Sequence, residues 1–489
     1  MPTDRKSRSR RRPGGRAIAV LVVLATALPL PSGCITKRLK GPDLGEIYNR
    51  AARYHQTERN PVVVVPGMMG SKLVDQNSGS VVWGAFTGKY AKPNRPEGAR
   101  LVALPMREGE PLARLTDGVH PDGVLDRVRV RFLGIPLRML AYFHILGALG
   151  AGGYRDEELG LSGAIDYGDD HFTCFQFAYD WRRDISESAA RLAEFLEQKR
   201  EYVREGMEKQ HGIVDPDIKF DIVAHSMGGL VTRYYLRYGA QPLPEDGSLP
   251  RLTWEGAKRV ANVILVGPPN AGSVLVLREA VEGYDPGPML ARYAPAILGS
   301  MPSVYQVLPR GRHRAVVVDT DAEKRVLDPY DPEVWEQMGW GLADPDQDEV
   351  LAWLLPELPD PASRRRTALD HLRKSLRRAR QLTEALDVPA SPPPGLMLYL
   401  IAGDSEPTAA LASVDPKTGR LRIVGRKPGD GTVLRSSVLM DERVSGEWSP
   451  RLVSPIDWSN VTFLFHEHLK LTRSPEFTDN VLFQLLEKE

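Results

Sequence analysis

The stretch Phe220-Asp221-Ile222-Val223-Ala224-His225-Ser226-Met227-Gly228-Gly229-Leu230-Val231 constrains the fold more than any other part of the chain. A mostly apolar run ends in a tight turn with a serine at its apex, and a helical pattern starts immediately behind. A serine held in such a turn has a strained backbone. It needs small neighbours, and its Oγ is lifted clear of a sheet at a helix N-terminus. Ala224 stands where glycine is usual and is small enough for the turn. The pattern predicts Ser226 as a nucleophile at the end of a buried strand.

Other short runs repeat the strand signal. Val62 to Val65 is wholly apolar and closed by Pro66-Gly67, as expected of a strand buried on both faces of a parallel sheet. Phe220 to Ala224, Val263 to Gly267 and Leu396 to Ala402 are similar, and Ser186 to Met207 has helical spacing. Strands alternating with helices predict an α/β fold built on a doubly wound, mostly parallel sheet. With 489 residues, 42% of them hydrophobic, a large core can form. Residues 61–488 are read as one catalytic domain. Within it, about 73–168 and about 270–394 are too long for loops of a compact core, so they are expected to be a lid-like insertion and a cap above the strand ends. Ser391-Pro392-Pro393-Pro394-Gly395 is the expected hinge back to the core.

The first residues read as an address. Seven basic residues between Arg5 and Arg16 precede the apolar run Ala17 to Leu30, which is too short to span a bilayer and describes a secretory signal over residues 1–33. Ser32-Gly33-Cys34 resembles a bacterial lipobox, with Cys34 as the lipidated first residue of a membrane-anchored envelope protein. Pro31 departs from that pattern, and an ordinary cleaved signal or an uncleaved anchor is the alternative. Residues 34–60 are mixed and polar, a tether, with order beginning at Pro61. Cys174, the other cysteine, lies in an alternating run and reads as a small buried side chain.

A lone serine is a poor nucleophile, so an acid and a base are required, in this type of fold in the order Ser, acid, His. Asp430 lies between Gly429 and Gly431, which let a carboxylate approach another loop closely; a solvated turn is the bland reading. In Phe465-His466-Glu467-His468-Leu469 either histidine qualifies by position, and His468 is preferred as the base. The oxyanion donors are the backbone N–H of Met227 and one from the turn Pro66-Gly67-Met68-Met69-Gly70, taken as Met68.

Five blocks in order carry a resemblance: Val65 to Leu73, Tyr179-Asp180-Trp181-Arg182, Ala224 to Gly229, Gly267-Pro268-Pro269-Asn270-Ala271-Gly272, and Gly429 to Val433. Together they resemble the lecithin:cholesterol acyltransferase-like family of the α/β-hydrolase superfamily. The resemblance implies transfer of an acyl chain from a lipid ester to an alcohol or water. It implies Ser226 as nucleophile, Asp430 as acid, His468 as base, and Met68 with Met227 as oxyanion donors. Tyr179 to Arg182 would border the site; alternatively Trp181 packs and Asp180 pairs with Arg182.

Other chemistries are disfavoured. His466-Glu467-His468 lacks the spacing of a zinc protease pair, and Asp344, Asp346 and Asp348 begin a calcium loop that Glu349 and Leu355 break. No metal or other cofactor is expected. Lys plus Arg number 64 against 63 Asp plus Glu, which gives no reason to expect nucleic acid as a partner. A membrane surface is the expected partner. Eight basic residues between Arg364 and Arg380 accompany a Leu stripe from Leu369 to Leu386, a helix that either lies on anionic lipid or, more commonly, packs its stripe on its own domain. The alternative functions are a carboxylesterase for smaller esters and a non-catalytic lipid-tethered scaffold.

Overall fold

The computed structural model describes residues 43–53, 59–85, 90–125, 128–132, 135–139, 142–168, 171–287, 290–319, 324–446 and 448–487. Cys34 and the signal-like run before it lie outside the described residues. Among the described residues no helix is long and apolar enough to cross a membrane.

Six parallel strands form the central sheet: β1 (Val62–Val65), β2 (Cys174–Gln176), β3 (Phe220–His225), β4 (Val260–Val266), β5 (Met397–Gly403) and β6 (Asn460–Leu464). Their order is β6-β5-β4-β3-β1-β2. All four valines of β1 and all six residues of β3 are buried, as sheets covered on both faces require. The register pairs Val65 with Ala224 and His225 with Val266, so Pro66, Ser226 and Gly267 emerge side by side at the carboxyl edge.

The helix expected from residue 186 runs Ile185–His211. Asp184 caps it, accepting from Ser186 N–H at 2.7 Å, and Gly212 ends it with φ 66°. It buries Ile185, Ala189, Leu192 and Leu196. Cys174 is buried as expected, and burial pushes its thiol pKa well up.

The insertion after β1 holds the three-stranded sheet of Ser71–Asp75, Val81–Trp83 and Val119–Val124, the hairpin Val128–Phe132 with Ile135–Met139, and the helix Phe143–Ala151. After β4 come helices Val274–Glu282, Pro332–Met338 and Pro361–Asp387. Two features differ from the sequence reading. Order begins before Pro61: Leu44–Ala52 is helical, and its Tyr48 hydroxyl donates to Asp479 Oδ1 at 2.9 Å. The excursion after β4 also does not close at residue 394, because its strand Val316–Asp319 pairs in parallel with Glu406–Val414 from beyond the Pro-rich hinge.

The basic helix Pro361–Asp387 buries Leu372, Leu376, Leu382 and Leu386 in the protein's own core. Its cations are largely spoken for: Arg373 pairs with Glu336, Lys374 with Asp370, Arg378 with Asp184 and Arg380 with Asp328. Packing, not lipid, accounts for its stripe.

Candidate active site

Ser226 stands at the end of β3 with φ 54° and ψ −127°, a region that costs a non-glycine residue on the order of 1–3 kcal/mol. Its side chain makes no capping bond to the helix Met227–Tyr238 behind it. Its own N–H donates to Val266 O at 2.8 Å, and its C=O accepts from Gly229 N–H at 2.9 Å. The elbow is pressed against the turn after β1. A Cβ on Gly228 would lie 2.4 Å from Pro66 O, and one on Gly67 would lie 2.7 Å from Ser226 Cβ. Only glycine allows that approach.

The turn beside Ser226 is pinned peptide by peptide. Pro66 O accepts from the Tyr179 hydroxyl at 2.9 Å, and Gly67 N–H donates to the Tyr142 hydroxyl at 2.7 Å, so both ends of one peptide unit are held. Gly67 O accepts from Gly70 N–H at 3.0 Å, which turns the Met68 N–H of the same unit the opposite way. Trp83 Nε1 donates to Met69 O at 2.7 Å. Burial pushes the hydroxyl pKa values of Tyr142 and Tyr179 upward. Both stay neutral hydrogen-bonding groups.

Asp430 and His468 are brought together. Asp430 is 2% exposed, and its Oδ2 lies 2.7 Å from His468 Nδ1. Its Oδ1 accepts from the N–H groups of Thr432 and Val433 at 3.0 and 2.7 Å, and its backbone O accepts from His468 N–H at 2.9 Å. Burial works against the charged form, but His468 and those donors overcome it and hold the carboxyl below its ordinary pKa. A carboxylate there keeps the proton on Nδ1 and leaves Nε2 as the basic atom. The flanking glycines are required: a Cβ on Gly429 would lie 2.4 Å from Val433 O, and Gly431 has φ 89°. His466 is partly exposed, and it is His468 that bonds the acid. A methyl on Gly267 would stand 3.2 Å from His468 Nδ1 and from Asp430 Oδ2, which places the pair over the end of β4, next to Ser226.

The Tyr179 to Arg182 block serves both readings. Tyr179 holds the Met68 turn, whereas Asp180 forms a forked pair with Arg182, at 2.9 and 2.7 Å, and buried Trp181 donates to Ser71 O. Asp344 caps a short turn and Asp348 pairs with Arg365. Sequence reasoning missed Tyr142. It reaches Gly67 across 75 residues and carries no motif of its own.

Residues 164–335 match the family model described as lecithin:cholesterol acyltransferase. Among solved structures, the crystal structure of a Tle4-Tli4 complex is similar with a TM-score of 0.52 and 18% identity, over 88% of this chain and 99% of that one. Lipase 1 from Pelosinus fermentans is 13% identical over 88% and 99% of the two chains, with a TM-score of 0.32. EstA from Clostridium botulinum is 13% identical over 92% and 99%, also with a TM-score of 0.32. No curated protein matches the chain. The chain has the α/β-hydrolase fold, and its residues 164–335 match the lecithin:cholesterol acyltransferase family model.

Proposed function

We propose that the chain is a lipid acyl hydrolase or acyltransferase that works through an acyl-enzyme at Ser226. The observation that carries the reading is the buried 2.7 Å pair of Asp430 and His468 set beside a strained serine. His468 Nε2 takes the Ser226 proton as Oγ attacks the ester carbonyl carbon. The carbonyl electrons move onto oxygen, and the N–H groups of Met68 and Met227 receive the oxyanion. Collapse expels the alcohol, which takes the proton back from His468. Water or a lipid alcohol, deprotonated by His468, then attacks the acyl-Ser226 ester through a second oxyanion, whose collapse releases the acid or new ester while Ser226 Oγ regains its proton from His468. Asp430 fixes the imidazole tautomer and balances the imidazolium. Export as an envelope lipoprotein anchored through Cys34, working at a membrane surface, is part of the same proposal and rests on the N-terminal sequence.

The test incubates the protein and its Ser226→Ala variant with phospholipid vesicles containing a sterol, and quantifies free fatty acid and new ester. New ester lost in the variant makes it an acyltransferase; Ser226-dependent fatty acid alone makes it a lipase. Equal behaviour of the two proteins on vesicles, and on a short p-nitrophenyl ester, removes the proposal.

A further inference from the structure

A buried hydrogen-bond chain runs from the oxyanion turn to the base and does not pass through Ser226. Gly67 N–H donates to the Tyr142 hydroxyl at 2.7 Å. Tyr142 Oη lies 3.2 Å from His225 Nδ1, and His225 Nε2 lies 3.3 Å from His468 O. His468 N–H then donates to Asp430 O. The donors and acceptors fit in one direction only. A carbonyl can only accept, so His225 Nε2 carries the proton; Nδ1 of the neutral ring is then an acceptor, and the Tyr142 hydroxyl donates to it while accepting from Gly67.

Each member is held where it is. Tyr142 is 4% exposed and His225 3%. The Tyr142 ring packs on Gly70, where a Cβ would lie 2.8 Å from its Cε2, and meets the His225 ring edge-on at 5.6 Å. The His225 ring also lies against that of His468, with 4.8 Å between centroids. Burial, with the neighbouring His468, lowers the His225 pKa to about 3, so the neutral ring that the chain requires is the form present near neutrality.

We propose that Tyr142 and His225 are positioning residues that set the oxyanion turn in register with the base, and the proposal rests on the reading of Ser226, Asp430 and His468 given above. Gly67 N–H and Pro66 O belong to one peptide, so losing the Tyr142 contact frees one end of it and lets the adjoining Met68 N–H tilt. Losing His225 frees the His468 backbone from the elbow at the same time. Neither residue touches the reacting atoms. Both act on where the donors and Nε2 sit when the oxyanion forms, so they affect kcat and spare ground-state binding.

The test uses the full chain and four variants, Tyr142→Phe, His225→Gln, the double variant and Ser226→Ala, with steady-state hydrolysis of a p-nitrophenyl ester as the readout. Tyr142→Phe is expected to lower kcat by about 10²-fold, the usual cost of a 1 Å misplacement, with KM within about twofold. Because the two side chains belong to one chain, the double variant should lose no more than the worse single one. Hydrogen exchange of the peptide containing Gly67 should quicken in Tyr142→Phe while that of β4 is unchanged. A Tyr142→Phe kcat within threefold of the parent, or losses that multiply in the double variant, overturns the proposal. If Tyr142→Phe does not fold, His225→Gln decides it, with unchanged kcat as the refuting result. Ser226→Ala separates the two failures. An inactive Ser226→Ala beside a fully active Tyr142→Phe removes only the positioning role, whereas an active Ser226→Ala removes the catalytic reading beneath it.

Discussion

Strand β3 carries two buried ionisable groups whose effects on stability have opposite sign. Asp221 is 2% exposed, and its Oδ1 accepts from Asn262 N–H and Nδ2 at 2.9 Å and from Asn60 Nδ2 at 3.1 Å. These neutral donors favour the carboxylate, but burial outweighs them and raises its pKa from 3.8 to about 6. His225, four residues on, is lowered from 6.5 to about 3. Asp221 keeps its proton longer in the folded state, so stability falls as pH rises from about 4 to about 6, by on the order of 3 kcal/mol in total. His225 refuses a proton that the unfolded chain accepts. Its contribution is fully present above about pH 6.5 and is lost as pH falls towards about 3, by on the order of 5 kcal/mol.

Between about pH 4 and about pH 6 the two slopes oppose each other at about 1.4 kcal/mol per pH unit, so in the parent they cancel. Single variants separate them. Asp221→Asn keeps the Oδ1 acceptor and removes the charge; its stability relative to the parent should climb by about 1.4 kcal/mol per pH unit across that window. His225→Gln should fall relative to the parent by the same amount. Urea unfolding at half-unit pH intervals measures both differences, with all other titrating groups common to the three proteins. Difference profiles that stay flat from about pH 4 to about pH 6 would refute the burial argument for both residues.

Three further outcomes follow from the site and its supports. Asp430→Asn leaves the loop intact but can stabilise the wrong His468 tautomer, so kcat should drop by about 10⁴-fold with the thermal midpoint nearly unchanged; a loss below tenfold on ester hydrolysis would show that the carboxylate does not orient the base. Gly67→Ala places a methyl 2.7 Å from Ser226 Cβ and 3.3 Å from its Oγ, so fluorophosphonate labelling of Ser226 should slow at least tenfold in a protein that still folds; unchanged labelling would contradict the close packing of turn and elbow. Asp180→Ala takes the forked partner from the fully buried Arg182 and leaves it Asp117 at 2.9 Å, so it should destabilise by about 3–5 kcal/mol in urea unfolding, and a cost under about 1 kcal/mol would show that Asp117 alone suffices.

The parts of this molecule that were legible in the sequence are those whose chemistry is local. The elbow could be read because strain at Ser226 demands a strand before it, small residues at 224, 228 and 229, and a helix after it, all within twelve positions. Asp430 could be read because two glycines were needed to pass a carboxylate between Val433 O and the end of β5. The choice of His468 over His466 was not local. It turns on which ring meets Asp430 Oδ2, and that partner of His468 lies 38 residues away. The parallel pairing of Val316–Asp319 with Glu406–Val414 is likewise fixed by a partner far along the chain, and although Leu44–Ala52 is amphipathic at helical spacing, its docking depends on Asp479, 431 residues from Tyr48.

Tyr142 is the sharpest case, because nothing around it announces a role. It begins the short apolar helix Phe143–Ala151, where an aromatic residue reads as core, and its ring is indeed buried. Only its oxygen separates core from machinery, and that oxygen meets Gly67 N–H and His225 Nδ1 from segments 75 and 83 residues away. A buried hydroxyl is costly unless satisfied, and here both of its contacts lie on the two turns proposed to carry the oxyanion donors and the nucleophile. A phenylalanine would fill the same space and leave Gly67 N–H unpaired, at a cost of about 1–3 kcal/mol for a buried donor. The hydroxyl is therefore explained by the turn it holds, and in the proposed mechanism that turn faces the charge that develops beside Ser226.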